Sequence, residues 1–350
     1  MFPIPKVTVC VPTYNRARHL ASCLTSILAQ TFPDFEVIVS DNCSPDDTGD
    51  VVRRFKDPRL RYVRNETNIG VFPNMNQCLD LARGDYVCIL HDDDIYAPRF
   101  LEREAEMLDR HPSAGFVHCA VYQIDASGAR RRLVRAYPED CLRSGRGEFL
   151  RYLGGHNVCC STVMARRDMY RKTGGFDPMF LCADFLMWLR LSLKADVAYV
   201  AEPLVAVRVH EESLSSSLTP ARWCEDYLDI LDRVAALAEA EEPAFLASKA
   251  QMLDRAACAQ GKRFLIAALS AASLGNVGLA NGYIDVLRRL EGRGLPGRYR
   301  LLAGMLNNRP GRLALRAARM AVAWRASRSL PAETPWWGER QTVARASQSR

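Results

Sequence analysis

Three consecutive carboxylates are the clearest candidates for chemistry in this 350-residue sequence. Asp92, Asp93 and Asp94 directly follow the apolar run Val87–Leu90, which is typical of a short strand buried on both faces. Adjacent carboxylates repel one another, and oxygen ligands of this kind suit Mg²⁺ or Mn²⁺. The same residues could instead form a solvated acidic turn before a helix that starts near Pro98. Both interpretations are open on these residues alone.

The elements before the carboxylates form a βα repeat. The sequence predicts buried strands over Val7–Val11, Phe35–Val39 and Val87–Leu90, and an alternating strand over Leu60–Arg64. Apolar residues at helical spacing follow two of these strands. After Val7–Val11 they are Leu20, Cys23, Leu24, Ile27 and Leu28, and after Leu60–Arg64 they are Met75, Cys78, Leu79 and Ala82. This alternation predicts an α/β fold with a largely parallel sheet, whose carboxyl edge gathers residues 12–16, 41 and 92–94.

That edge has the layout of a nucleotide site, but the usual glycine fingerprints are missing. Within the βα region, residues 7–94, there is neither G-x-G-x-x-G nor G-x-x-x-x-G-K, so neither a dinucleotide fold nor a P-loop enzyme is indicated. The phosphates of a nucleotide would then need a metal ion for neutralisation. This requirement favours the metal interpretation of the three carboxylates.

Composition indicates an ordinary globular protein. The chain is 48% hydrophobic and 25% charged, and its length favours two domains. No apolar run is long enough to cross a bilayer, and residues 1–6 lack a signal-peptide pattern, so we expect a cytoplasmic protein. Twelve cysteines without a C-x-x-C pair are expected to be reduced thiols.

Positive charge is concentrated at the end of the chain. From Arg288 onward there are 14 arginines and 3 acids, a net charge of +11, against −4 for the residues before it. Leu313, Ala317, Met320 and Trp324 form an apolar stripe flanked by arginines. This segment could contact an anionic membrane at its inner face or pack on the protein, and we do not expect nucleic acid as a partner.

Five motifs resemble the family 2 glycosyltransferases with the GT-A fold, in that family's order. They are Pro12-Thr-Tyr-Asn-Arg16, Ser40-Asp-Asn-Cys-Ser44, Asn68-Ile-Gly70 with Asn76, Gly84-Asp-Tyr86 leading to His91–Asp94, and Gly174-Gly-Phe-Asp177 followed by Asp184. The resemblance covers residues 6–217. It implies a mostly parallel sheet flanked by helices, a nucleotide-diphosphate-sugar donor, and Mn²⁺ or Mg²⁺ as cofactor.

The resemblance implies a set of donor-binding residues: Pro12, Thr13, Tyr14, Asn15, Arg16, Asp41, Asn68, Gly70, Asn76, Asp92 and Arg208. In this interpretation Asp41 bonds a uracil ring, Asp92 the ribose or a bridging water, and Arg208 the diphosphate. By residue chemistry alone, Tyr14 could be a plain surface or packing tyrosine, and Asp41 could be the N-cap of the next helix.

The resemblance also implies the metal ligands. Asp93 is expected to be the principal ligand, with Asp94 in support and His210 as a further ligand. His91 stands where the family has its first aspartate, and we expect it to pack beside the strand end. A histidine such as His210 is often only hydrogen-bonded.

Asp184 is the residue that the resemblance makes the general base. It precedes an apolar helical stripe at Leu186, Leu189 and Leu193, and Ala183 stands where the family often has Glu. A single carboxylate suffices for an inverting transfer, since a metal-bound diphosphate leaves without a general acid. The competing role for Asp184 is that of a helix N-cap.

These expectations combine into a metal-dependent, inverting glycosyltransferase. It would move a sugar, most simply from a UDP-sugar, to a hydroxyl of a glycan, lipid-linked or protein acceptor in bacterial-type cell-surface polysaccharide or glycoconjugate assembly. The alternatives are a non-catalytic nucleotide-sugar-binding scaffold, which could tolerate loss of Asp184, and a sugar-1-phosphate nucleotidylyltransferase. The latter should have a glycine-rich basic loop, which is absent between Val9 and Arg18.

The expected domain boundaries follow the same pattern. We predict a GT-A domain over residues 1–217, a helical domain over 218–330, where the composition turns to Ala, Leu and Arg, and a flexible basic tail over 331–350.

Overall fold

The computed structural model describes residues 4–154, 158–210, 220–241, 264–271 and 275–291, with positions 256, 258 and 261. The chain divides into two compact units. The first contains the described residues up to Phe149 and those over 158–210, and the second contains Leu150–Gly154 and those from 220 onward. The predicted basic stripe from Leu313 to Trp324 and the predicted tail over 331–350 lie outside the described residues.

The first part of the chain alternates strands and helices. Its elements are β1 Val7–Thr13, α1 Ala17–Leu28, β2 Phe35–Asp41, α2 Thr48–Arg53, β3 Leu60–Arg64, α3 Val71–Leu81 and β4 Tyr86–Ile89. β1 pairs in parallel with β2 and β4, and β2 pairs in parallel with β3. Every residue of β2 and β4 is buried, as expected for parallel strands covered on both faces.

The chain then builds the other half of the sheet. The elements are β5 Ile95–Tyr96, α4 Phe100–Arg110, β6 Ala114–Ile124, β7 Arg130–Val134, β8 Cys141–Arg143, α5 Gly145–Leu153, a 3₁₀ helix over Cys160–Thr162, β9 Val163–Arg166, α6 Arg167–Thr173, α7 Ala183–Lys194 and β10 Asp196–Arg208. The strand order is β3-β2-β1-β4-β9-β6-β10-β5, with β7 paired to β6 and β8 paired to β10. β10 is parallel to β6, whereas β9 is antiparallel to both β4 and β6.

The core of the first unit packs helices onto this sheet. Leu20, Leu24 and Ile27 of α1 join Phe100 and Leu101 of α4 in one buried cluster with residues of β1, β2 and β4. This apolar burial is the main contribution to stability and fixes where the strand ends lie.

The second unit is helical in its described parts. It contains α8 Pro220–Glu241, helical residues over 264–271, and α9 Val277–Glu291. Phe264, Leu265, Ile284 and Leu287 form its own apolar cluster, so its core is separate from that of the first unit.

The predicted α/β class with a GT-A sheet and a helical C-terminal region is confirmed, and all four predicted strands are present. The sheet is mixed, because the strands that follow β4 include antiparallel ones. No helix in the described part of the chain is long and apolar enough to span a bilayer. The eleven cysteines described are free thiols.

Candidate active site

The carboxyl ends of β1, β2 and β4 lie side by side. Thr13 pairs with Asp41, and Ile89 pairs with Cys10, so that residues 91–94 emerge level with the end of β1. The amide N–H of Leu90 continues this register by donating to the carbonyl oxygen of Cys10 at 2.9 Å. The register therefore places the acidic residues beside the loop that follows β1.

Asp94 points into the protein and is buried. Its carboxylate accepts hydrogen bonds from the Ser161 hydroxyl at 2.5 Å and from the backbone N–H of Arg208 at 2.8 Å. Burial raises the pKa of Asp94 well above its ordinary value. Both oxygens thus fix the acidic turn to the 3₁₀ helix and to the end of β10.

Asp93 lies against His210. One carboxylate oxygen of Asp93 is 2.8 Å from Nε2 of His210, 117 residues further along the chain. Burial alone would raise the pKa of Asp93, but the hydrogen bond from His210 and nearby positive charge hold it below its ordinary value. This edge therefore carries an ionised carboxylate next to an imidazole nitrogen.

Asp92 is the third carboxylate of the acidic turn. It is 8% exposed, and burial together with the neighbouring charge of Asp93 raises its pKa to about 7. Arg16 opposes this rise and also lowers the pKa of Asp93, which places its guanidinium near both carboxylates. The three adjacent aspartates thus differ in environment: the pKa is raised for Asp92 and Asp94 and lowered for Asp93.

Arg208 binds backbone oxygens. Its Nε donates to the carbonyl oxygen of Asp93 at 3.2 Å, and one terminal nitrogen donates to the carbonyl oxygens of Asp125 and Ala126, each at 3.0 Å. The guanidinium therefore connects the acidic turn to the turn between β6 and β7. The predicted diphosphate contact would have to be made in addition to these bonds.

The loops after β1 and β2 are joined to each other. The N–H of Asn42 donates to the Thr13 carbonyl oxygen at 2.9 Å, and the N–H of Asn15 donates to the Ser44 hydroxyl at 3.0 Å. Asn15 has a φ of 56°, which is uncommon outside glycine and tolerated best by Asn and Asp. Tyr14 is 45% exposed on this loop, so it is not a packing tyrosine; a base-contacting residue and a plain surface tyrosine are both compatible with this exposure. Pro12 is partly buried at the end of β1.

Asp41 is fully buried. Its carboxylate accepts hydrogen bonds from the N–H of Ser44 at 2.8 Å, the Tyr62 hydroxyl at 2.5 Å and the Arg64 guanidinium at 3.3 Å. The N-cap of α2 is Asp47, so Asp41 does not cap that helix. A direct contact between Asp41 and a nucleotide base would require this buried carboxylate to become exposed.

Asn68 and Gly70 shape the entrance to α3. The side-chain oxygen of Asn68 accepts hydrogen bonds from Nδ2 of Asn42 at 2.8 Å and from the N–H of Gly70 at 2.9 Å. Gly70, at a φ of 93°, is the N-cap of α3. These residues hold the loop before α3 against the loop after β2.

Asn76 lies elsewhere on α3. Its side-chain oxygen accepts a hydrogen bond from the N–H of Phe176, and its Nδ2 donates to the carbonyl oxygen of Phe176, both at 2.8 Å. Asn76 therefore fixes the turn over 174–177 that leads toward α7, and it is not brought together with the acidic residues by any hydrogen bond in the described structure.

Asp184 is the second residue of α7. The N-cap is Cys182, so the N-cap alternative for Asp184 is wrong. Its carboxylate accepts a hydrogen bond from the N–H of Phe185 at 2.8 Å. After burial, the charges of Asp94, Asp184 and Asp93 all contribute to raising the pKa of Cys159, so the segment before β9 lies close to Asp184 and to the acidic turn alike.

The donor set fits a divalent cation. Among the described residues there is no group of three His, Cys, Asp or Glu side chains arranged to hold a metal ion, but Asp93 and His210 supply a carboxylate oxygen and an imidazole nitrogen together. Mg²⁺ sites that bind nucleotides commonly use one or two carboxylates, with water and substrate phosphates as the other ligands. Two protein ligands are therefore sufficient at this edge.

Sequence reasoning missed several residues of the site. Ser161 joins Asp94 to the N–H of His91, and Tyr62 and Arg64 saturate Asp41. The His19 ring stacks on the His210 ring with centroids 6.0 Å apart. None of these four side chains belongs to a motif. Tyr62 and Arg64 reach the site from β3, His19 from α1 and Ser161 from the 3₁₀ helix before β9, so tertiary packing brings them there.

This protein is a member of the GT-A class. Its parallel half-sheet has an aspartate turn at the carboxyl edge and is continued by an antiparallel strand. A profile described as glycosyl transferase family 2 matches residues 8–174. EpsE of Bacillus subtilis is 30% identical over 193 residues, which are 53% of this chain and 66% of EpsE. MT1568 of Mycobacterium tuberculosis is 30% identical over 217 residues, which are 59% of this chain and 67% of MT1568.

Solved structures show a similar fold. TarS of Staphylococcus aureus, in a crystal structure with UDP-GlcNAc, matches with a TM-score of 0.62 at 19% identity, covering 89% of both chains. The full TarS sequence, that of a poly(ribitol-phosphate) β-N-acetylglucosaminyltransferase, is 28% identical over 243 residues, 66% of this chain and 40% of TarS. The chain belongs to glycosyl transferase family 2.

Proposed function

We propose that this protein is an inverting glycosyltransferase that moves a sugar from a UDP-sugar to a hydroxyl acceptor in cell-surface polysaccharide assembly. The observation that supports the proposal most directly is the pairing of Asp93 with His210 at the strand ends, close to the segment over 159–161 that also lies near Asp184. The pairing supplies ligands for a nucleotide-bound cation, and Asp184 supplies a separate carboxylate.

The chemistry that these residues would perform is a single displacement. The acceptor oxygen attacks the anomeric carbon, the bond from that carbon to the diphosphate oxygen breaks, and UDP leaves with the bonding electrons. Asp184 takes the proton of the acceptor hydroxyl as the new bond forms. One carboxylate in this role separates the reaction from glycoside hydrolysis, which needs an acid and a base.

Asp93 and His210 would hold Mn²⁺ or Mg²⁺, which when bound offsets the negative charge on the leaving diphosphate. Asp94 supports Asp93 by fixing the turn, since both of its oxygens already accept protein hydrogen bonds. Arg16 lies near Asp92 and Asp93 and would add positive charge beside the donor's phosphates.

The proposal of a uridine nucleotide rests on the fold match to TarS, whose structure contains UDP-GlcNAc. We assign the base to the loops after β1 and β2, where Tyr14 is exposed and Asn15 is held by Ser44. Asp41 fixes this second loop through Ser44, Tyr62 and Arg64. Asn68 and Gly70 continue the same surface toward α3.

We place the protein in the cytoplasm, with peripheral contact at the inner membrane face through the arginine-rich residues after 287. The support is the net charge of +11 in that segment, which would be attracted to anionic lipid. Acceptors assembled on a lipid carrier would be reached there.

Asp184→Asn tests the catalytic role. We expect kcat to fall by about 100-fold or more, because the amide cannot take the proton, while the affinity for UDP in the presence of Mn²⁺ stays unchanged. The measurements are UDP release from a panel of UDP-sugars and calorimetry of UDP binding. Asp168→Asn, at an exposed position of α6, is the matched control. Normal turnover by Asp184→Asn would remove the residue from the base role and leave a binding scaffold as the better explanation.

A further inference from the structure

The hairpin between β6 and β7 is strongly basic. Residues 125–136 contain four arginines, Arg130, Arg131, Arg132 and Arg135, and a single acid, Asp125. Asp125 is already bound: its carboxylate accepts hydrogen bonds from Ser127 and Ala129 and forms an ion pair with Arg131 at 2.6 Å. Asp125 is the single acid of the hairpin, so it can offset only one of the four arginine charges.

Arg132 and Arg135 are the two most available charges. Both are exposed, and neither has an acidic partner within ion-pair distance in the part of the chain that the structure describes. Arg130 is placed differently, with its guanidinium 4.7 Å from the centre of the Tyr122 ring. Arg130, Arg131 and Arg132 lie on β7, whose only strand partner among the described residues is β6, and Arg135 follows the last residue of that strand. These four residues are the arginine row of the hairpin.

This row begins at the candidate active site. The carbonyl oxygens of Asp125 and Ala126 accept hydrogen bonds from Arg208, which also binds the carbonyl oxygen of Asp93. The hairpin turn is therefore one side chain away from the residue that would hold the metal ion. From Arg130 to Arg135 an extended chain covers roughly 16 Å, leading away from that turn.

A sugar nucleotide does not need such a row. Its single diphosphate would lie at the end of the cleft near Asp93, whereas the arginines continue along the strand. Guanidinium groups bind phosphate oxygens through two parallel hydrogen bonds. A series of them along an edge strand fits a chain that carries a negative charge at regular intervals.

We infer that the acceptor is a polyanion, a glycan or polyol chain with phosphodiester groups, which lies along β7 and presents its hydroxyl to Asp184. The inference rests on the proposed transferase function and names the substrate class for it. Arg132 and Arg135 are then acceptor-binding residues, and Arg130 lies where the chain enters the site.

A second explanation for charge on β7 is protection of an edge strand from pairing with other chains, which charged side chains commonly provide. That role is served by either sign of charge. Acceptor binding requires positive charge, so the double variant Arg132→Glu/Arg135→Glu separates the two explanations. Under edge protection alone, the variant stays monomeric and keeps its acceptor affinity.

The experiment compares the full chain with this double variant in two assays. The first is UDP release from the preferred UDP-sugar with Mn²⁺, using as acceptor a poly(glycerol phosphate) chain or dextran at equal hydroxyl concentration. The second is fluorescence anisotropy with labelled poly(glycerol phosphate), dextran and a single-stranded DNA of equal charge. The control is Arg54→Glu/Arg171→Glu, two exposed arginines directly after α2 and on α6, which corrects for non-specific attraction to the rest of the chain.

We expect the phosphate polymer to be the better acceptor, and Arg132→Glu/Arg135→Glu to raise its KM by about tenfold or more, as for two lost charge contacts. The KM for the donor should stay within about twofold, and the control should stay near the wild-type value. Acceptor use of dextran equal to that of the phosphate polymer would overturn the inference. So would an unchanged affinity for the phosphate polymer in the variant, or an equal loss of affinity for DNA.

The two proposals fail separately. If the wild-type chain releases no UDP from any sugar nucleotide, with or without acceptor, the transferase function fails. If UDP is released by hydrolysis but neither polymer accepts the sugar, the anisotropy comparison still decides whether Arg132 and Arg135 bind the phosphate chain.

Discussion

Asn76 makes both of its side-chain hydrogen bonds to one residue, Phe176, across 100 positions of sequence. The turn that it fixes contains two glycines with left-handed φ, Gly174 at 83° and Gly175 at 73°. A Cβ on Gly175 would lie 2.6 Å from the side-chain oxygen of Asn76, whereas a Cβ on Gly174 would meet nothing within 4 Å. The two glycines are thus a matched pair for separating backbone strain from contact.

We predict that Gly174→Ala lowers the free energy of unfolding by about 1 kcal/mol, the cost of a left-handed alanine, and that Gly175→Ala lowers it by about 2 to 4 kcal/mol. The excess arises because the new methyl group displaces Asn76 from Phe176. In an Asn76→Ala background the two alanine variants should cost the same, since the clashing atom is absent. Urea unfolding measures all six proteins, and an excess that persists without Asn76 would show that this contact is not its source.

Glu104 is a buried acid that the proposed chemistry does not use. It lies on α4 with no exposure, and burial raises its pKa well above the ordinary value of 4.5, opposed only in part by Cys119 and the backbone of Met164. The folded state therefore holds a proton that the unfolded state releases above pH 4.5. Stability from this group is fully present below pH 4.5 and falls as pH rises through the folded-state pKa.

We predict that Glu104→Gln removes this loss, because glutamine fills the same space without a proton to release. The variant should gain thermal stability over the wild type as pH rises from 5 toward 8, with the difference shrinking near pH 4. Differential scanning fluorimetry across this pH range measures the effect. Glu106→Gln, an exposed neighbour on the same helix, should change little. An equal response of the two variants would contradict the assignment to burial.

Some residues of the site could be predicted from local sequence, and others could not because their partners lie far away in the chain. The carboxylates at 92–94 follow an apolar strand, so their position at a strand end could be predicted from local pattern. Ser161 and Tyr62 could not, because a single serine or tyrosine has no pattern and reaches its partner only through the pairing of β9 with β4 and of β3 with β2. His210 was predicted from a motif, but its 2.8 Å contact with Asp93 depends on β10 ending beside the acidic turn.

At the scale of elements, Arg208 ties three of them together. From the end of β10 it binds carbonyl oxygens in the turn after β4 and in the β6–β7 turn. Burial lowers the pKa of Arg208 below its ordinary value, and the negative charges of Asp93, Asp94 and Asp125 oppose this shift in part. Since carbonyl oxygens at three positions accept from one planar group, the shape of guanidinium matters as well as its charge.

We predict that Arg208→Lys lowers the free energy of unfolding by about 2 to 3 kcal/mol, because an ammonium group cannot reach all three carbonyl oxygens. The KM for the donor should rise as the acidic turn loosens. If Arg208 served only as a positive charge for the diphosphate, Lys would preserve both stability and KM. Urea unfolding and initial rates of UDP release distinguish these outcomes, with Arg99→Lys on the exposed surface as the control.

The βα half of the sheet could be predicted from sequence because its strands are apolar or alternating runs and a helical period follows β1 and β3. The half of the sheet that follows β4 could not be predicted in the same way. β5 has only two residues, and β7 is rich in arginine, so neither shows the apolar alternation that identifies a strand. Their pairing with β10 and β6 is dictated by tertiary contact, which outweighs local preference.

At the scale of the whole molecule, two apolar cores serve two units. The first unit contains the candidate site between its strand ends, and the second has the cluster around Phe264, Ile284 and Leu287. A ligand that binds only the folded form of one unit stabilises that unit and not the other. The two cores therefore predict how the chain unfolds.

We predict two thermal transitions in calorimetry of the full chain, since separate cores break two-state behaviour. UDP with Mn²⁺ at about 100 times Kd should stabilise only the transition of the first unit, by about 2.7 kcal/mol. EDTA should abolish the effect of UDP if Asp93 and His210 hold the cation, and Asp93→Asn should do the same without EDTA. Glu104→Gln, whose substitution lies in the first unit, identifies the transition independently, because it shifts the same peak at pH 8. A single transition would mean that the two units unfold together. Equal shifts of both peaks by UDP would mean that the site is not confined to the first unit.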